Sequence, residues 1–498
     1  MECVSEKTNQ VCRGETDDDP GKMSDSCDQI VKEKLQLNGK ESSGNKAEVK
    51  VQNWRQICAV CSAGLAAFSA SSLFNWTSPT IPKLQSDEYP NISFNDVSYL
   101  SVIPPIATII TSPSYDFFLN KFGRKYTLLS VAVFHLISFI LIAIATDIWI
   151  FYLSRVLFGM ADVFMFGSLP VYISEVTTPD IRGTWGNIMV IFIFIAQFSV
   201  NAVGYYCSIP TTACIFAAAP LIFFMTFIFM PETPYYYVMK EQDKEAEKSL
   251  QRLRGTKYVQ EELEQITADV KRQLLDPGTF KDLFFLKHNR KAIFIVVLAR
   301  MIQQFSGLSA LSVYNQYIFK EAGQNINEGV SAMIFNSMLA VSTICGPMFI
   351  RKFGTNLSMV ISCSGSFITL IAEAIYFYIE QKQEIDLSFM NWFPIFGLVI
   401  YVIAFSIGLA LVPTLLLGEL FATNMRGHAS CVMNIAFSIF ISVATKLFHL
   451  LTSSFGMYVP FAFYGICAFA GVFLCYKFIP DTKGKTLEEI QQYLKAKS

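Results

Sequence analysis

Five polar side chains lie inside long apolar stretches of this 498-residue chain: Gln303, Gln304 and Tyr314 within 292–318, and Gln197 and Asn201, one helical turn apart, within 184–206. Polar groups are costly in hydrocarbon unless they face a cavity or a partner, so each is a candidate for ligand contact or for tying two helices together. Amides both donate and accept, which suits a neutral hydroxyl-bearing ligand. Asp162 lies within 148–172, where an ionised carboxylate costs roughly 2.5 to 3.5 kcal/mol on insertion scales. It is either a proton-coupling acid or a protonated or paired packing residue. Glu373, Lys446 and His449 leave the same alternatives open, and His135 reads as helix packing. A second set is ionic. Arg124, Glu175 and Arg182 stand at the ends of apolar stretches, and so do Arg351, Glu419 and Arg426. Carboxylate and guanidinium groups there can form bidentate, water-poor pairs, or they only anchor helix ends at the interface.

These side chains need membrane-spanning helices to hold them. Hydrophobic residues make up 52% of the chain and charged ones only 16%, against the balance of soluble domains. The apolar residues cluster in runs long enough to cross a bilayer, which takes about 20 helical residues. Spans are expected near 55–76, 97–119, 127–146, 148–172, 184–206, 211–230, 292–318, 329–350, 357–379, 391–417, 429–452 and 458–479. Lys121, Arg124, Lys125, Arg182, Arg351, Lys352 and Arg426 fall in connections on one side, with the long charged segment after span six. The bias of Lys and Arg toward the cytosol puts both termini there. The first 50 or so residues are polar and predict a disordered tail. No signal-peptide core precedes span one.

The two halves echo each other. Lys121-Phe122-Gly123 after span two matches Lys352-Phe353-Gly354 after span eight. Pro170, Glu175 and Arg182-Gly183 match Pro413, Glu419 and Arg426-Gly427, and Pro231-Glu232-Thr233 matches Pro480-Asp481-Thr482. This order implies two six-helix bundles related by an axis along the membrane normal, with a solute site between them near the midplane. Between the bundles, Ala246, Leu250, Leu253, Leu263 and Ile266 recur at helical spacing among charges, which predicts short amphipathic helices on the cytosolic face. The expected organisation is therefore a tail over 1–53, a bundle over 54–231, a helical linker over 232–288, a bundle over 289–479 and a cytosolic tail over 480–498. The fold class is an all-α polytopic membrane protein of twelve helices.

The motifs PVYISEVTTPDIRG (170–183), PETP (231–234), QQFSG (303–307) and PDTKGKTLEEI (480–490) resemble the sugar porter family of the major facilitator superfamily. NWTSPTIPKL (75–84) and ATKLF (444–448) look most like its insect facilitated trehalose transporters. The resemblance covers roughly 50–492. It implies that Gln303, Gln304 and Asn201 contact the sugar, and that the ionic residues latch the halves when the cytosolic side is closed. It also exposes departures. Ser309 stands where a span-seven Asn is expected, Thr414 where a span-ten Trp is, Leu339 where a span-eight Asn is, and Phe437-Ser438 where an Asn-Trp pair is. Asn120 replaces an acid and Asp116 a Gly; Arg351 replaces an acid, and Thr355-Asn356 an arginine pair. A pairing of Arg351 with Glu419 would preserve the second latch in altered form. Millimolar binding is only about −4 kcal/mol and a neutral hydrogen bond contributes about 1 kcal/mol, so lost contacts predict a changed substrate or low affinity. Ser309 and Thr414 join the candidate solute contacts.

The expected activity is facilitative uniport of trehalose, a hexose or a related polyol by alternating access, without cofactor or metal. Proton-coupled relatives usually carry an acid in span one, and none lies between Arg55 and Lys83. Proton symport through Asp162 and a transport-poor solute sensor are the rivals. No nucleotide loop, metal cluster or nucleophile triad indicates an enzyme, and no basic patch indicates nucleic-acid binding. The partners implied are a sugar-like solute and the lipid bilayer, and the family default is the plasma membrane. Asn91-Ile92-Ser93 is a candidate glycosylation site in an outer loop. Cys58 and Cys61 read as packing residues, and Cys207 and Cys214 flank an outer loop where they could pair.

Overall fold

The computed structural model describes residues 52–86, 92–186, 188–275, 280–322, 327–382, 390, 392–421, 425–483 and 489. The expected N-terminal tail, Asn91 and most of the C-terminal tail lie outside the described residues. Every regular element described is a helix, as a bilayer requires when no water can satisfy an open backbone.

Ten of the described helices are long and apolar enough to cross a membrane. One of these, Phe94–Ile144, runs over 51 residues, about twice the length that hydrocarbon demands. It turns over at Gly123, whose φ of 85° and ψ of 177° are not helical, and so supplies spans two and three. Span seven is not among the ten: its first segment, Lys287–Phe305, is long enough but carries Lys287, Arg290, Lys291 and Arg300, and the span then continues as Leu308–Val313 and Asn315–Glu321. Counting both, the twelve expected spans are present.

The two breaks have local causes. Gly307 sits at φ 98°, which ends the first segment of span seven. Span ten stops at Ile407 and resumes at Val412, with Gly408 non-helical at φ −141° and ψ −56° and Pro413 at the start of the second segment, where a missing N–H costs no helical bond. The interruption leaves the carbonyls of Leu409 and Ala410 open to a side-chain donor.

Span one, Asn53–Asn75, is rich in small residues; Ala59, Ala63, Ala66, Ala67 and Ser69 are fully buried. Small side chains let spans four, five and six approach its backbone closely. Arg155 of span four is also buried, donates from Nη1 to the Leu73 carbonyl at 2.6 Å and stacks 4.3 Å from the centroid of Trp76. Here a cation in the interior is held by a carbonyl and an aromatic face.

Between the halves lie Pro234–Met239, Asp243–Arg254, Gln260–Leu275 and Phe280–Phe285. Of the residues at helical spacing, Ala246, Leu250, Leu263 and Ile266 bury with Val238 into a small core of their own, while Leu253 packs into the main core. Arg254 pins this layer: it grips Glu262 through Nε and Nη2, at 3.0 and 2.6 Å, and donates from Nη1 to the Val176 carbonyl at the end of span four.

Cys207 and Cys214 are both free thiols, and the pair they could form is not made. Cys207 follows the last residue of span five, and Cys214 lies a turn into span six. Cys58 and Cys61 are free as well.

Candidate functional site

The face that carries Gly123 and Gly354 is the basic one, and the internal repeat recurs there in atomic detail. Both glycines have φ 85°, with ψ 177° and 171°, a region open in practice to glycine alone. The acid from the end of each half caps the turn. Glu232 accepts from the amides of Arg124, Lys125 and Thr233 at 3.2, 2.9 and 2.9 Å. Asp481 accepts from the Thr355 amide at 3.3 Å. Burial pushes the Glu232 carboxyl up to about 7, while the amides of Thr233 and Lys125 and the nearby Arg124 pull it down.

Side chains diverge where the backbone repeats. Arg124 Nη2 meets Glu175 Oε1 at 2.9 Å, with the two side chains 7% and 12% exposed. Arg182 does not join that pair; its Nη2 donates to the carbonyls of Ser174 and Thr177 at 2.6 and 3.2 Å. Arg426 does the equivalent on the Phe421 carbonyl at 3.2 Å, again five residues back. In the second half Thr355 bonds Pro480 and Thr482, and Asn356 bonds the carbonyls of Cys475 and Ile479. The expected pairing of Arg351 with Glu419 is absent. Both residues line one cavity of about 890 Å3 on the basic face, but no ion pair joins them, because Arg351 is exposed to water and needs no partner.

The amides of span seven turn toward the broken spans. Gln303 Nε2 donates to the Leu409 and Ala410 carbonyls at 2.7 and 3.3 Å, filling the gap in span ten. Its Oε1 accepts from Arg300 Nη1 at 2.7 Å, and Arg300 Nη2 reaches Thr414 Oγ1 at 2.8 Å. Gln304 Oε1 accepts from Ser309 at 2.6 Å. Gln303, Gln304, Ser309 and Thr414 therefore form one neighbourhood, with Arg300 at its centre. Tyr314 lies outside it, stacked on Phe448 at 4.8 Å with its buried hydroxyl unpartnered.

Asn201 and Gln197 belong to another contact. Asn201 is buried, accepts from Ser78 at 2.8 Å and from Gln316 Nε2 at its carbonyl at 3.2 Å, and donates to the Gln197 carbonyl. Gln197 Oε1 is buried without a partner. Since Gln316 belongs to the second half, this set joins the halves. Farther toward the face opposite the basic one, Lys446 Nζ donates to Asn95 Oδ1 at 3.0 Å and Ser98 Oγ at 2.6 Å and lies 3.8 Å from the Tyr99 centroid. Phe94 packs on Tyr317 and His449. The halves are thus joined on this face, while the cavity on the basic face is lined by residues of the second half. Asp162 lies in span four with no ion pair among the described residues.

Arg300, Gln316 and the partners of Lys446 escaped the sequence reading. For Arg300 there was a signal, a formal charge within 292–318, which the cost of intramembrane ions singles out.

A family model described as "Sugar (and other) transporter" matches residues 55–494. Facilitated trehalose transporter Tret1 of Bombyx mori is 29% identical, with 93% of this chain and 92% of that one covered. The Tret1 of Polypedilum vanderplanki is 30% identical with 88% of each covered. Against the longer Tret1 of Drosophila willistoni, also 30% identical, the chain spans about half the relative, 51%. Among solved structures, the inward open conformation of the xylose transporter XylE from E. coli matches with a TM-score of 0.70 at 22% identity, covering 88% of this chain and 99% of that one. XylE bound to 6-bromo-6-deoxy-D-glucose, described as a major facilitator superfamily proton:xylose symporter, gives 0.68 at 21% identity, with 88% and 99% covered.

Proposed function

The chain belongs to the sugar transporter family and has its twelve-helix major facilitator fold, and on that premise we propose that it carries a sugar-like solute down its gradient by alternating access. The observation that carries this reading is the asymmetry of the contacts between the halves. Lys446, Phe94, Asn201 and Gln316 close one face, while on the other a cavity of about 890 Å3, lined by the second half, reaches Thr414. Beyond Thr414 lies Arg300 with Gln303, and the neighbouring amide of Gln304 suits hydroxyl groups. Rocking the halves would break the closed contacts and shut the cavity, with the Arg124–Glu175 pair and Arg182, Arg351, Glu419 and Arg426 guarding the basic face. Lys and Arg bias assigns that face, and both termini, to the cytosol, and the plasma membrane is the proposed site.

Vesicles carrying the purified full-length protein should show saturable uptake of at least one of trehalose, glucose, fructose, a polyol or a sugar acid. Its absence for the whole panel would remove a sugar from the reading. Asp162 supports a second reading, proton symport, because it is an acid in span four without an ion pair among the described residues. Acidifying the outer medium would then raise uptake, and Asp162→Asn would uncouple it; pH-independent uptake rejects symport.

A further inference from the structure

We propose that the solute carries a carboxylate, a polyhydroxylated acid anion of sugar size bound by Arg300. The proposal rests on the carrier reading above and narrows its substrate class. Arg300 lies one turn before Gln303, where spans seven, ten and eleven converge: Nη1 is on Gln303, Nη2 is on Thr414, and the guanidinium carbon is 5.3 Å from the centroid of Phe437. No carboxylate oxygen among the described residues lies within 4.0 Å of it. A guanidinium has five N–H donors; two are used here, and Nε is buried with no acceptor. What remains is a planar donor fork, the geometry that takes a carboxylate bidentately.

Arg155 shows how this chain holds a purely structural interior cation: fully buried, against Trp76, in the middle of the first bundle. Arg300 differs, because it is only partly buried and one of its two partners, Thr414, lines the cavity. The resemblance expects a Trp at 414, and Thr414 leaves room for the guanidinium and a ligand. The cavity is also lined by Arg351 and Lys483 against one acid, Glu419. With Arg300 beyond Thr414, and Asp481 against the lining residues Thr355 and Lys483, this makes three cations to two carboxylates, a net positive field that draws an anion inward. Gln303 is occupied by the break in span ten and by Arg300, which leaves Gln304 Nε2 and the Ser309 hydroxyl oxygen for the ligand's hydroxyl groups.

The test compares uptake of glucose with glucuronate and gluconate by vesicles holding the full-length protein, with and without an imposed inside-positive potential. The expected result is saturable uptake of an acid with kcat/KM at least ~10-fold above that of glucose. Accumulation should rise on the order of 50-fold at 100 mV, as one moving charge dictates. Arg300→Gln should collapse the acid-to-glucose ratio at least ~10-fold, whereas Arg300→Lys should keep a preference for the acid. Uptake of glucose with none of either acid, or an equal loss of both in Arg300→Gln, overturns the anion and leaves the carrier intact. If Arg300→Gln does not fold, acid uptake that responds neither to the potential nor to an imposed pH gradient overturns the proposal by itself. Absence of uptake for every sugar and acid tested would defeat the carrier reading, and this one with it.

Discussion

Single side chains in this protein differ in how completely their charges are matched. The Arg124–Glu175 contact is part-buried and single, since Arg124 Nε and Nη1 and Glu175 Oε2 have no other partner. Removing the acid's charge leaves a guanidinium in poor solvent. Glu175→Gln should therefore cost about 1.5 to 3 kcal/mol, seen as a lower unfolding temperature in detergent. Arg351→Ala should change stability by less than about 0.5 kcal/mol, because Arg351 is exposed and has no ion pair with Glu419. If the two variants lost stability equally, the assignment of the structural pair to Arg124 and Glu175 would be wrong. The ionic residues were legible because charges at the ends of apolar runs stand out. Which of them pair was not, because the choice depends on the water that reaches each one, and the cavity that wets Arg351 forms only in the folded bundle.

At the scale of the elements, the turn after span two shows how one glycine sets the geometry of a helix pair. Gly123 holds φ 85°, and an added Cβ would run into the Glu232 carboxylate. Gly123→Ala should thus lose about 1 to 3 kcal/mol for the backbone alone, with more from displacing Glu232, and Gly354→Ala should lose a comparable amount against Asp481. Thermal unfolding of both variants checks this, and a loss at one turn only would contradict their equivalence. Glu232 also makes the turn sensitive to pH. Burial raises its pKa from 4.5 to about 7, so the folded state favours the proton; the stability it supplies is fully present below about 4.5 and is lost as pH rises through about 7. Glu232→Gln should flatten unfolding temperature against pH between 5 and 8, while the parent declines across that window. The Lys-Phe-Gly repeat made both turns visible in the sequence. The break at 408–411 was not, since residues such as Gly408 and Pro413 mark no break by themselves: Pro104, Pro170 and Pro220 sit inside unbroken helices of this chain, and Gln303 satisfies the freed carbonyls from another span.

The molecule as a whole is closed by contacts that join residues far apart in the chain. Lys446 bonds Asn95 and Ser98 from the other half, about 350 positions away, which no local periodicity can reveal; in the sequence it was one more ambiguous charge. Twelve spans and two halves could be read because each is written in runs of some twenty residues or repeated motifs. The seal could not, because its partners share no stretch of chain. Hydrogen bonds from a charged donor contribute about 1.5 to 3 kcal/mol each, and Lys446 makes two, so its ammonium should bias the halves strongly toward the state hollow on the basic face. Replacing it with Met keeps the stem and removes the donors. A loss of only about 1.4 kcal/mol would change the ratio of the two states about tenfold. Spin labels on the ends of spans two and eleven beside Asn95 and Lys446 would read this as a longer distance population that grows in Lys446→Met. The same variant should slow net uptake if the return through the sealed state limits turnover, and an unchanged distance distribution would show that Phe94, Gln316 and Asn201 hold the face closed without it.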